Sequence, residues 1–178
     1  TKDGFSELSE FKPFTDHCRA SNIVHLGGPM LGNITSSSAD IWVRTVKPEK
    51  VTVKITGVEG GLNFGPVEST YESDLSAIVH VSGLEPDKQY SYQVFVGGIE
   101  IKVPGGASIQ TTANSNNVLT RIAFGSCFHR WGLGNVNQSK AIVGRKPHAL
   151  LLLGDVAVQD KTNSRGWHTL DYLARDLY

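Results

Sequence analysis

The stretch GLEPDKQYSYQVFV, residues 83–96, decides the fold of the first half of this chain. It opens with a Leu-x-Pro turn at Leu84 and Pro86 and continues into a run that begins at Tyr90, in which apolar and polar side chains alternate. Alternation with a period of two predicts a strand that buries one of its faces. The stretch therefore predicts a turn that leads directly into a half-buried strand.

Runs of the same kind lie on both sides of this stretch. In ADIWVRT, residues 39–45, Ile41 and Val43 alternate with Asp40 and Trp42. Short alternating runs separated by Gly, Pro, Asn, Asp and Ser predict an antiparallel β-sandwich over residues 23–113, with Trp42 in its core. Residues 1–22 show no clear period, and we expect an irregular lead-in there. The predicted strands are residues 23–26, 39–45, 51–55, 77–81, 90–96, 99–103 and 107–112.

The turn and Tyr90 resemble the tyrosine corner of fibronectin type III and immunoglobulin-like domains, in which the phenol bonds back to the upstream turn. This resemblance implies that the first half of the chain is a fibronectin III/Ig-like sandwich. It also implies a hydrogen bond between the Tyr90 hydroxyl and the upstream turn.

Composition excludes several classes of protein. The 178 residues include 17 Lys+Arg and 17 Asp+Glu, so no net charge attracts nucleic acid or an anionic membrane. The longest apolar run, residues 149–153, is far too short to span a bilayer. Two cysteines, Cys18 and Cys127, are too few for a disulfide framework. The chain starts at Thr1 without Met or an apolar leader, which indicates a processed or trimmed chain.

The pattern changes after the polar segment at residues 113–117. Residues 118–124 and 149–153 are apolar on both faces, which predicts two buried strands, and residues 135–144 between them can form a helix. Strand, helix and strand in this order predict a βαβ unit with parallel strands. A second, amphipathic helix is predicted at residues 164–178. A unit this small predicts that residues 118–178 are only the N-terminal part of an incomplete α/β domain.

Two candidate ligands follow the two predicted parallel strands. Cys127 comes after the first strand and Asp155 after the second, and each is preceded closely by a glycine that allows a sharp bend, Gly125 or Gly154. Neighbouring parallel strands end at the same edge of a sheet, where ligands usually bind. A thiolate and a carboxylate at this edge form half of a metal site. We expect His80 and His148, among other histidines of the chain, to be structural or surface residues.

The segments RIAFGSC, residues 121–127, and PHALLLLGD, residues 147–155, resemble the opening of the PhoD-like alkaline phosphatase (phosphodiesterase D) family of calcineurin-like metallophosphoesterases. The preceding sandwich resembles the N-terminal domain of that family. The resemblance implies a secreted, periplasmic or cell-envelope enzyme that hydrolyses phosphate mono- or diesters with a water activated by two metal ions. It also implies that Cys127 binds iron, that Asp155 is catalytic and bridges iron to calcium, and that Asp160 supports the site.

One position departs from the family pattern. The family has a tyrosine ligand where this chain has Val158, which makes Mn or Zn an alternative to iron. His129 and Arg130 follow Cys127 and are candidates for binding the phosphate of the substrate.

Two other interpretations remain open. In the first, suggested by Val158, the chain is a non-catalytic β-sandwich binding protein with a degenerate phosphoesterase domain. In the second, Cys127 is the nucleophile of a hydrolase and His129 is its base; residues so close in sequence seldom have the required geometry.

Overall fold

The computed structural model describes residues 10–58, 60–115, 118–127 and 135–154. The chain forms two compact units, Thr1–Asn116 and Asn117–Tyr178. Among the described residues, no helix is long and apolar enough to cross a membrane.

The first unit is a β-sandwich. In the described residues, this unit consists of α1 (Lys12–Ala20), β1 (His25–Gly32), β2 (Ser38–Thr45), β3 (Glu49–Thr56), β4 (Leu62–Ser69), β5 (Ser76–Ser82), β6 (Gln89–Val96), β7 (Ile99–Glu100) and β8 (Ser108–Gln110). Its three-stranded sheet has the order β1-β2-β5, and its larger sheet has the order β4-β3-β6-β7, with β8 also paired to β6. Each of these pairings is antiparallel, as the sequence predicts.

Alternating side chains of both sheets build the core. Ile41 and Val43 of β2 are fully buried, as are Val51 and Val53 of β3. Burial of each such side chain stabilises the fold by about 1.5–3 kcal/mol. The prediction for Trp42 is wrong: it lies on the opposite, half-buried face of β2, because its neighbours along the strand already face the core.

The hydrogen bond implied by the tyrosine corner is present. The backbone N–H of Glu85 donates to the hydroxyl of Tyr90 over 2.8 Å, and the Tyr90 side chain is buried. Thr111 closes the same corner, because its hydroxyl donates to the Glu85 carbonyl over 2.7 Å and accepts from the Lys88 N–H over 2.9 Å. Residues 83–96 thus form the predicted turn and strand.

The edge strands β1 and β4 each contain a Gly-Pro step, and the pairing register of each strand shifts at that step. Gly28 and Gly65 have φ of +85° and +90°, and a Cβ there would lie 2.6 Å from the Trp42 carbonyl oxygen and 2.7 Å from that of Val51, respectively. Both positions therefore require glycine, and the following proline offers no N–H to a further strand. Strand β4 was not predicted, because Gly and Pro within a run of residues argue against a strand.

The segment before β1 corrects another prediction. Residues 12–20 form α1 instead of an irregular lead-in. Pro13 fits the first helical turn, and Lys12 pairs with Asp16 one turn later. Among the residues of this helix, only Cys18 is buried.

The second unit contains the predicted strand, helix and strand. They are β9 (Ile122–Gly125), α2 (Val136–Gly144) and β10 (Ala149–Leu152), and β10 pairs with β9 in parallel. Asn135 caps α2, because its side-chain oxygen accepts from the Asn137 N–H over 2.9 Å. The predicted helix at residues 164–178 lies outside the described residues.

The apolar side chains of these two strands are exposed, so the prediction of buried strands is wrong in this structure. Leu151 is 49% exposed and Phe124 is 70% exposed. A parallel strand is buried on both faces only when layers cover both sides of its sheet. The described residues of this unit provide two strands and one nine-residue helix.

Candidate metal centre

The parallel ladder of β9 and β10 extends beyond the strands at both ends. Ala149 lies opposite Ile122, and Leu152 lies opposite Gly125. At the carboxyl edge, the Leu153 N–H donates to the Gly125 carbonyl over 2.8 Å. Two residues beyond Gly125, the Cys127 N–H donates to the Gly154 carbonyl over 3.3 Å. The backbones of Cys127 and Gly154 are therefore neighbours at the carboxyl edge of this sheet.

The chain bends sharply at these two neighbouring residues. Gly154 has a φ of +123°, a conformation that only glycine adopts readily. On the first strand the left-handed residue is Cys127 itself, with a φ of +60°, and not Gly125 as expected. A left-handed conformation costs a residue with a Cβ about 1–2 kcal/mol. Backbone strain of this kind tends to cluster at functional sites.

The Cys127 side chain supplies a sulfur atom at this edge. It is a half-buried thiol, and the Ser126 hydroxyl donates to its Sγ over 3.8 Å. The thiolate form of cysteine is a good ligand for iron and zinc. A sulfur donor at the end of a parallel strand is consistent with the predicted metal site.

The other predicted site residues lie outside the described residues: Asp155, Asp160, His129 and Arg130, together with Val158. Within the described ranges, no group of three His, Cys, Asp or Glu residues is arranged to hold a metal ion. Of the three predicted ligands, the described part of the chain thus contains Cys127.

The opposite end of the ladder has a contact that the sequence analysis did not anticipate. The Nδ1 atom of His148 accepts a hydrogen bond from the Arg121 N–H over 2.9 Å, and the His148 N–H donates to the Arg121 carbonyl over 2.8 Å. The sequence signal was limited to a histidine directly before an apolar strand.

The other cysteine has a different environment. Cys18 is a buried thiol of α1, and desolvation raises its pKa above the ordinary value. Burial thus favours the protonated form, which is neither a nucleophile nor a metal ligand.

A family model covers the sandwich. The family described as Domain of unknown function (DUF7800) matches residues 24–113, which is 90 of the 178 residues. The chain belongs to this family. No curated protein matches the chain.

The comparison with solved structures gives one match with a TM-score above 0.5 among those described here. A structure of PhoD matches with a TM-score of 0.55 and 20% identity over 75% of this chain and 28% of the PhoD chain. A sensor domain of the anti-sigma factor RsgI4 from Pseudobacteroides cellulosolvens matches with a TM-score of 0.35 and 14% identity, over 47% of this chain and 88% of its own. The chain thus spans about a quarter of the PhoD chain, and the likeness to PhoD shows the fold alone.

Proposed function

We propose that this chain is part of a metal-dependent phosphoric ester hydrolase of the PhoD-like type. Residues 23–113 would be its fibronectin III/Ig-like domain, and residues 118–178 the N-terminal part of its metallophosphoesterase domain. The similarity in fold to PhoD supports this assignment, together with the order of the sandwich, the segment at residues 124–127 and the segment at residues 153–155. By the same resemblance, we propose that the enzyme acts outside the cytoplasm, in the envelope or as a secreted protein.

One observation carries the proposal. The pairing of β9 and β10 continues until the Cys127 N–H meets the Gly154 carbonyl, and Asp155 is the next residue in the sequence. The predicted metal site needs this register, because a cysteine and an aspartate 28 positions apart in the chain can share a metal only if their strands end side by side. The left-handed backbone of Cys127 adds local strain at the same place.

The proposed roles follow from the chemistry of each side chain. Cys127 would offer its sulfur to one metal ion, and Asp155 would bridge that ion to a second one. Asp160 would orient the site, while His129 and Arg130 would bind phosphate oxygens of the substrate. When bound, a pair of cations activates a water and neutralises the charge on the transferring phosphoryl group.

The identity of the metals depends on the donors. A thiolate favours iron or zinc, whereas a bridging carboxylate also accepts calcium or manganese. The family resemblance makes iron with calcium the first pair to test. Because Val158 cannot ligate iron as a phenolate does, manganese or zinc is the second.

The proposal is tested on the full-length protein. Metal content by mass spectrometry and hydrolysis of p-nitrophenyl phosphate and its bis ester are measured for the wild type, Cys127→Ser and Asp155→Asn. We expect both substitutions to lower metal affinity at least tenfold and kcat/KM at least about a hundredfold. Cys18→Ala is the matched control, and it should leave both quantities unchanged.

Two results would overturn the proposal in different ways. A metal-replete wild type that retains no metal and hydrolyses neither ester would indicate the non-catalytic binding protein. Hydrolysis that resists chelators and disappears in Cys127→Ser would indicate the cysteine-nucleophile hydrolase.

A further inference from the structure

His148 lies at the amino-terminal end of the β9–β10 pair, away from the carboxyl edge that carries Cys127. We infer that His148 is a positioning residue, whose imidazole holds β9 and β10 in register and thereby keeps Cys127 beside Gly154. The inference rests on the proposed function, because it assigns His148 a role in shaping the metal site.

Two hydrogen bonds join the residues that directly precede the two strands, Arg121 before β9 and His148 before β10. The Arg121 N–H donates to Nδ1 of His148 over 2.9 Å, and the Arg121 carbonyl accepts from the His148 N–H over 2.8 Å. Both backbone groups of Arg121 are therefore bonded to His148. In a regular parallel ladder, one residue bonds to two different residues of its partner strand, so the imidazole takes the place of the backbone acceptor that would lie two residues before His148.

The described side chains of this pair contribute little to fixing its register. Each strand has four residues, and the Leu side chains of β10 are about half exposed. Burial of one face usually specifies register, and a slip by one residue moves every side chain to the other face. Such a slip also shifts the strand by about 3.3 Å along its axis. It would separate the Cys127 N–H from the Gly154 carbonyl.

The chemistry of the imidazole defines the substitutions. Nδ1 accepts only when the ring is neutral and carries its proton on Nε2. The side-chain oxygen of asparagine can accept at a similar distance from the backbone, whereas leucine and alanine cannot accept. His148→Asn therefore preserves the proposed function of the ring, and His148→Leu removes it at similar size.

The test uses amide hydrogen exchange and Mn²⁺ binding in the full-length protein. In His148→Leu we expect the amides of Arg121 and β9 to exchange about tenfold faster, because the Arg121 N–H loses its acceptor. We expect Mn²⁺ affinity to fall about tenfold, the usual effect of losing a residue that orients a ligand. His148→Asn should recover both to within about threefold. His17→Leu, at an exposed position of α1, is the matched control and should change neither.

The outcomes separate this inference from the proposed function. Unchanged exchange in His148→Leu overturns the register role, whatever the protein binds. Faster exchange with unchanged Mn²⁺ affinity, in a wild type that binds Mn²⁺, overturns the positioning role and leaves the proposed function standing. A wild type that binds neither Mn²⁺ nor another metal overturns the proposed function first. If His148→Leu does not fold, His148→Ala takes its place, and the exchange of β6 amides reports whether the sandwich remains intact.

Discussion

The two units of this chain use similar apolar side chains with opposite results. Ile41 of the sandwich has no exposed surface, whereas Leu151 of the second unit is 49% exposed. In the sandwich, each sheet covers the apolar face of the other. In the second unit, the described residues provide a single pair of parallel strands and one short helix, which leave apolar side chains on both strands in contact with solvent.

The difference shows that the apolar pattern of a strand determines how many covering layers the strand needs. An alternating strand needs one covering layer, and the sandwich supplies it from its own sequence. A strand that is apolar throughout needs layers on both sides, and the described part of the second unit does not provide them. The same unit carries a left-handed Cys127. The described core therefore lies in the first unit, and the candidate metal ligand Cys127 lies in the second.

The largest expected effect tests this contrast directly. Ile41→Ala removes a fully buried side chain and leaves a cavity between the sheets, so we expect a loss of about 2–5 kcal/mol in the unfolding free energy of the sandwich. Leu151→Ala removes a similar volume from a half-exposed position, and we expect less than about 1 kcal/mol. Urea unfolding followed by exchange of β3 and β10 amides measures each unit separately. Equal losses at the two positions would contradict the contrast.

Much of the sandwich could be predicted because its signals are local. Alternation in β2, β3 and β6 sets which face is buried, and the turn before Tyr90 sets how β6 begins. Helix α1 and strand β4 were missed for different reasons. Helix α1 has nine residues and buries only Cys18, and in β4 the backbone pairing with β3 overrides Gly65 and its proline.

At the candidate site too, part of the structure could be predicted from the sequence and part could not. The neighbourhood of Cys127 and Gly154 follows from a topological rule about parallel strands, and the structure has that backbone contact. The strained φ of Cys127 and the bond from Arg121 to His148 depend on exact backbone positions, which sequence spacing does not define. The proposed roles of Asp155 and Asp160 stay predictions.

A smaller effect is expected at the tyrosine corner. Tyr90→Phe removes the hydroxyl that accepts from the Glu85 N–H, so we expect a loss of about 1–2 kcal/mol in the stability of the sandwich. Tyr92→Phe on the same strand is the matched control, because it keeps a buried ring while the Glu85 bond stays intact. Thermal unfolding of both variants measures the difference. A Tyr92→Phe loss as large as that of Tyr90→Phe would show that ring packing, and not the corner bond, is being measured.

The smallest effect is expected on the outer face of the sandwich, where a carboxylate is bonded on both of its oxygens. Asp40 lies 2.7 Å from Nδ1 of His80 and accepts from the Asn33 side chain over 2.7 Å. These hydrogen bonds lower the pKa of Asp40 below its ordinary value of 3.8.

A lowered pKa stabilises the fold above the ordinary value, and this contribution disappears as pH falls below 3.8 through the pKa of the folded state. Because His80 is largely exposed, the contribution is below about 1 kcal/mol. Asp40→Asn should therefore lower Tm slightly at pH 7, and its difference from the wild type should shrink as the pH drops below 3.8. A difference that stays constant from pH 7 down to the acid unfolding transition would mean that these bonds do not depend on the charge of Asp40.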